Sequence, residues 1–404
     1  MEAERIYINI IRGPNSPLTL LHHGNNNNNN NNNKVVSDFL SKSDISDILD
    51  SALAGHRLGL KDCIRLMKSD DVNSMGFVAN MLRQSLFGDT ITFINNIILN
   101  YTNVCITYCK FCAFYRPPGH EESYTVPIQE IIKRVATSRE MFGITQVLIQ
   151  GGHNPNLKLE YYEDAFRAIK QRYPEVGING LSPSEVDMIA TVERSSTKEV
   201  LARLKDAGMD TFAGGGAEIL EDSVKEQISP FKIKSHEWLR IMEEAHHLGL
   251  RSVATMMYGT VETEEDRARH IIKIAQLQEK TGGFMVFIPW SFEPNKTQMQ
   301  SEGKIKYSSG GLSLLKMIAV ARIMYYGLIN HLQSSWLTNG IGMAQLALSY
   351  GADDFGGTLT GEEVVSATGS RSTELTSDKI IVAIKRAGFR AAERDNFYKL
   401  IKYH

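Results

Sequence analysis

Apolar positions recur at helical spacing in the first part of the chain and give way, after Gly88, to short β-rich runs separated by longer helical ones. In the section from Val35 to about Leu86, "SDISDILDSALAG" offers Ser and Asp caps ahead of Ile45, Ile48, Leu49 and Leu53, and Gly55 marks a stop. "LKDCIRLMKS" and "SMGFVANMLRQSLFG" predict two more helices packed ahead of the main domain. The strands expected next are "TFINNIILN", "TQVLIQGG", "VGINGLS", "DTFAGG", "RSVATMMYG", "FMVFIPW", "LQSSWLT" and a short one near "ADDFGG". Helical stretches such as "IQEIIKRVATSREMFG" and "EEDRARHIIKIAQLQEKTG" lie between them, several ending in glycine.

Alternating strand and helix implies a parallel sheet, and eight such units fit a closed (β/α)8 TIM-type barrel better than an open sheet. The expected organisation is a leader over 1–34, a helical segment over 35–88, the barrel over 89–369 and a small C-terminal cap over 370–404. The leader carries an unbroken run, Asn25 to Asn33, too polar to offset its own ordering entropy, and it reads as a disordered spacer. Its Arg5 and Arg12 are balanced by Glu2 and Glu4, which argues against an import signal without excluding one; a cytoplasmic location is expected.

Charge narrows the partners. Lys+Arg total 44 against Asp+Glu 46, so no electrostatic reason exists to expect a nucleic acid or an anionic membrane, and a small-molecule ligand is favoured. No uninterrupted apolar run long enough to span a bilayer occurs, so no membrane span is expected.

Three of the four cysteines, Cys105, Cys109 and Cys112, fall within eight positions in "NVCITYCKFCAFYR", just after the first expected barrel strand. This clustering is unlike a secreted disulfide set and points to a reducing compartment. C-x3-C-x2-C puts three thiolates within one loop's reach, which suits an iron-sulfur cluster or a metal site completed from elsewhere; the second ligand pair that structural zinc recruits is not visible. If the group is a 4Fe-4S cluster, three irons are held and the fourth is open to an exogenous ligand. Cys63, on an amphipathic helix, reads as a small buried hydrophobe.

The spacing and its aromatic setting, "CITYCKFCAF", resemble the radical S-adenosylmethionine superfamily. From about residue 45 onward, "QGGHNPNLKLEYYEDAFRAIK", "SPSEV", "GGGAEIL", "ATMMYGTVET" and "RAGFRAAERDNFY" are similar to the radical enzymes of menaquinone and deazaflavin biosynthesis. Within that group "FIPWSFEPNKT" and "GADDFGGT" most resemble the branch that cyclises dehypoxanthine futalosine in the futalosine route to menaquinone; the sister branches make aminofutalosine or a deazaflavin precursor. The resemblance implies a 4Fe-4S cluster on the three cysteines, S-adenosyl-L-methionine on its open iron, and an electron from a flavodoxin or ferredoxin. It also implies hydrogen abstraction from the ribose of dehypoxanthine futalosine by a 5'-deoxyadenosyl radical, followed by ring closure. One departure stands before Asn100-Tyr101: the family's Arg-Asn pair is Ile97-Ile98 here.

Individual residues have plain structural readings beside these. Gly151 and Gly152 either end a strand or admit a cofactor to bare backbone, with His153 where the superfamily often has Glu. Ser182 and Glu185 read as a capping box first and a cofactor contact second. Glu218 is divided between a helix N-terminus and the cofactor. Tyr258, Trp290 and Phe292 are barrel-top packing or walls for a flat ring. Asp353 and Asp354 suit a turn before Gly356-Gly357, with substrate hydroxyl contacts or a final deprotonation as the other role. His246, His247 and the run "ETEEDRARH" read as structural and solvated, and no general base is identifiable.

Overall fold

The computed structural model describes residues 39–370 and 375–404. The expected leader and asparagine run lie outside them. Three helices come first, Ser46–Leu53, Leu60–Lys68 and Val72–Phe87, at the three places where the apolar spacing predicts them. Asp71 caps the third by accepting from the Ser74 backbone N–H, and Gly76 on that helix has no room for a Cβ because the Tyr350 ring lies 2.3 Å from where it would be. The second and third of these helices pack on Glu264–Thr281 and Gly311–Tyr325, two helices of the barrel domain, and the first packs on the third.

Eleven strands follow among the described residues: β1 Thr90–Ile94, β2 Asn96–Asn100, β3 Gln146–Gln150, β4 Gly177–Gly180, β5 Thr211–Phe212, β6 Arg251–Tyr258, β7 Phe284–Ser291, β8 His331–Leu332, β9 Asp354–Gly357, β10 Arg390–Arg394 and β11 Leu400–Tyr403. β2 to β8 form one parallel sheet in chain order, each joined to the next by helical crossovers. Strands added in sequence, all parallel and all crossed over by helices, curl toward the TIM-type barrel that the strand and helix rhythm predicts.

The eighth position departs from a regular unit. The β9 segment meets its barrel neighbours only through single parallel bridges, from Gln333, just past β8, to Asp354, and from Ile97 on β2 to Thr360, just past β9. Its ladder runs instead to β1, in a second sheet of order β11-β10-β1-β9. Side chains replace the missing ladder: Asn96 Oδ1 accepts from the Leu359 N–H at 2.9 Å, and Thr358 Oγ1 donates to the Asn96 carbonyl at 2.7 Å. Gly357 makes this possible, since a Cβ there would sit 2.1 Å from Asn96 Oδ1.

Two apolar runs read as single strands are each divided. "TFINNIILN" breaks at Asn95, so its first half, β1, joins the second sheet and its second half, β2, opens the barrel. "LQSSWLT" is strand only at Leu332; Ser335 turns left-handed at φ 55° and Trp336 begins a helix to Leu348.

After residue 374, a helix, Ser377–Arg386, leads into β10 and β11, which pair with β1. A buried ion pair ties this segment to the barrel: Arg394 donates to Asp354 through Nε at 2.5 Å and Nη2 at 3.1 Å, and Thr92 Oγ1 completes the same carboxylate at 2.6 Å. The adjacent Asp353 accepts from Arg322 Nη2 at 2.5 Å and the Leu332 N–H at 2.7 Å, with His331 Nδ1 2.7 Å away. Both aspartates are therefore spent on the barrel seam, and neither is free for a substrate hydroxyl or a deprotonation.

Candidate active site

The cysteine loop leaves β2 and folds back over the end of β3. The Gly152 N–H donates to the Thr102 carbonyl at 2.8 Å, the Ile106 N–H to the His153 carbonyl at 3.2 Å, and the Cys105 N–H to the Arg116 carbonyl at 2.9 Å. This close approach needs glycine: a Cβ on Gly152 would lie 2.2 Å from the Val104 carbonyl oxygen and 3.0 Å from Cys105 Cβ, and one on Gly151 would lie 2.8 Å from the Tyr101 ring. Tyr108 takes a left-handed φ of 45°, and a turn closed by the Cys112 N–H on the Cys109 carbonyl at 3.0 Å brings the last two cysteines together. The Thr107 hydroxyl bridges the first two, 3.0 Å from Cys105 Sγ and 3.5 Å from Cys109 Sγ.

All three thiols line one cavity of ≈ 160 Å³ with Gly151, Gly152 and Ser182. Among the described residues no three His, Cys, Asp or Glu side chains converge as a single metal ion would require. The all-sulfur donor set is the one iron-sulfur ligation uses. Burial pushes the Cys109 thiol up to about 12 and raises Cys112 as well, so the protein environment alone does not favour thiolates there. Cys63 is fully buried on the helix Leu60–Lys68 and lines no part of this cavity.

Ser182 and Glu185 form the expected capping box, with Pro183 at the first helical position of Pro183–Glu193. The Glu185 carboxylate does more than cap. Its Oε2 accepts from Ser182 Oγ and N–H at 2.6 and 2.7 Å, and its Oε1 from Tyr101 Oη and the Gly151 N–H at 2.9 Å each. One buried carboxylate thus fixes Gly151, Ser182 and the start of the cysteine loop together.

The positive charge of the site is one that no sequence motif announces. Lys232 lines the thiol cavity, and its ammonium donates to Glu218 Oε1 at 2.8 Å. The fully buried Lys225 donates to Glu218 Oε2 at 3.2 Å. Burial pushes the Glu218 carboxyl up, but the two lysines outweigh it and bring it down to about 2. The helix-cap reading of Glu218 is corrected, because the helix Asp222–Ile228 begins after Glu221; Glu218 itself lines neither this cavity nor the barrel lumen. It anchors the lysine that does. His153 also lines the cavity; burial lowers it to about 3, so its ring is neutral near pH 7.

Beside the thiol cavity lies the barrel lumen, a cavity of ≈ 260 Å³; Asn100, Gln150 and Val364 line both. Ile98 and Trp290 face it, so the Ile97-Ile98 departure puts one apolar side chain into the lumen, while the backbone of Ile97 bridges Thr360. Tyr258 does not reach it. Along β6, Val253 and Thr255 face the lumen, and strand alternation turns Tyr258 outward, fully buried, with Arg267 Cζ 5.4 Å over its ring. Phe292 is likewise core. His246 is structural, each ring nitrogen 2.6 Å from a hydroxyl, of Thr281 and Ser252.

The family comparisons agree with this construction. The profile of the radical SAM superfamily matches residues 99–274, from the end of β2 through the cysteine loop to the helix after β6, and the CofH/MqnC C-terminal region matches 281–404. The chain belongs to the radical SAM superfamily, and it is an enzyme. A cyclic dehypoxanthine futalosine synthase of Halalkalibacterium halodurans is 39% identical over 89% of this chain and 95% of its own length. An aminodeoxyfutalosine synthase of Thermus thermophilus is 35% identical over 88% and 95%. A 5-amino-6-(D-ribitylamino)uracil--L-tyrosine 4-hydroxyphenyl transferase of Methanocaldococcus jannaschii is 36% identical over 85% and 96%. Among solved structures, the FeFe-hydrogenase maturase HydG of Carboxydothermus hydrogenoformans shares the fold, with a TM-score of 0.70 at 17% identity over 98% of this chain and 86% of that one.

Proposed function

We propose that this enzyme converts dehypoxanthine futalosine to cyclic dehypoxanthinylfutalosine, a step of menaquinone formation by the futalosine route. The observation that carries the reading is the cavity holding three thiols and bordering, past Asn100 and Gln150, the barrel lumen. The choice among substrates rests on relatives of that name at 39 and 38% identity along about nine-tenths of the chain.

Cys105, Cys109 and Cys112 would hold a 4Fe-4S cluster, and Gly151, Gly152 and Ser182 would border S-adenosyl-L-methionine. Together these groups supply the one-electron chemistry that takes a hydrogen atom from the substrate ribose, the electron coming from a flavodoxin or ferredoxin. The chain's own residues do the positioning. Lys232 places an ammonium beside the thiols, where it offsets the negative charge of a thiolate-bound cluster and can meet a carboxylate. Neutral His153 adds no charge. Trp290 and Ile98 give the lumen flat apolar walls, which hold a ring and exclude water and stray hydrogen donors. A reducing cytoplasm suits the free thiols.

The test is anaerobic incubation of reconstituted, dithionite-reduced protein with S-adenosyl-L-methionine and dehypoxanthine futalosine, followed by mass spectrometry. The expected outcome is 5'-deoxyadenosine together with a product lighter than the substrate by two hydrogens, both lost in Cys109→Ala. Deoxyadenosine formed without that product would move the reading to a sister substrate.

A further inference from the structure

At the N-terminal end of the barrel the lumen is lined by the chain's last segment, and this floor is polar. Asn396 reaches in from the turn after β10; Gly177 on β4 makes room for it, since a Cβ there would fall 2.7 Å from Asn396 Cβ. Its orientation is set by its carbonyl, because Oδ1 accepts from Gln146 Nε2 and from Thr211 Oγ1, the latter at 3.1 Å. That leaves Nδ2 turned away from both, and it has no partner in the chain. Two residues along β4 from Gly177, on the same face of the strand, Asn179 lines the same cavity, and its Oδ1 is unpartnered too. These residues are only 4% and 8% exposed and the two atoms are buried, so bulk water does not satisfy them.

A buried donor and a buried acceptor left open in one cavity cost stability unless something fills them. We infer that the lumen floor binds a hydroxyl group of the substrate, with Asn396 Nδ2 donating to its oxygen and Asn179 Oδ1 accepting its proton. A hydroxyl offers both an acceptor and a donor on one atom, as this pair requires. The inference rests on the proposed reading in that the ribose of dehypoxanthine futalosine supplies such hydroxyls. The ribityl chain of 5-amino-6-(D-ribitylamino)uracil supplies them as well, and this separates the two claims.

Equilibrium binding of each compound to the reconstituted holoenzyme and to Asn179→Leu, by anaerobic calorimetry, is the test, with iron content and thermal midpoint as folding controls. Asn179→Ala is read in the same way should the leucine variant not fold. The expected result is a Kd about tenfold weaker in the variant for whichever compound the unmodified enzyme binds. If that compound is the ribityl one alone, the cyclase reading falls and the floor assignment stands. An unchanged Kd overturns the floor assignment, leaving ordered water as the occupant, and binding of neither compound by the unmodified enzyme overturns both.

Discussion

Gly152 meets the cysteine loop at the shortest separation in the site, with a Val104 carbonyl oxygen where a methyl group would have to go. Gly152→Ala is therefore expected to push the loop off β3 and to cut the iron and sulfide retained after reconstitution several-fold, while the barrel still melts cooperatively; metal analysis beside thermal denaturation reads both. The loop's chemistry was legible in the sequence because it is local: C-x3-C-x2-C, the two glycines and the capping box at Ser182 each sit within a few residues. Lys232 was not, because it follows Glu218 by fourteen positions and only the fold of the helix Asp222–Ile228 and the turn after it brings the two together. The side of the strand that Tyr258 takes was left open for a related reason. An aromatic residue at a strand end is conspicuous in sequence, but its side of the strand depends on a register that its neighbours Val253 and Thr255 set.

At the scale of the element, the weak joint is β9, which closes the barrel with two bridges rather than a ladder. Asp353 holds this seam. Asp353→Asn removes the charge facing Arg322, itself 1% exposed, and breaking a buried pair in this way is expected to cost about 3 kcal/mol. Burial pushes the Asp353 carboxyl up, yet His331 and Arg322 outweigh it and hold it below its ordinary value. A carboxyl depressed in the folded state stabilises above its unfolded pKa and ceases to do so as the pH falls. The stability gap between wild type and variant, from chemical denaturation, should thus be full near neutrality and shrink below about pH 4. The strand and helix rhythm predicted most of the barrel correctly. It did not show that Asn95 divides the first apolar run between two sheets, since both halves alternate as strands do and only long-range pairing tells them apart.

For the molecule as a whole, the C-terminal segment is part of the barrel's interior, because Arg394, Asn396 and Tyr398 all line the lumen. A chain ending at Phe389 would leave Asp354 unpaired and expose the edge of β1. It should lose cooperative melting and aggregate, which size-exclusion chromatography and calorimetry would show. The sequence suggested a small cap from this segment but not a floor, as nothing in "RAAERDNFY" says which end of a barrel it meets. A chamber floored by its own chain has consequences for traffic. A ligand on that floor and a ligand beside the thiols would share the wall of Asn100, Gln150 and Val364, so neither berth can be filled without regard to the other.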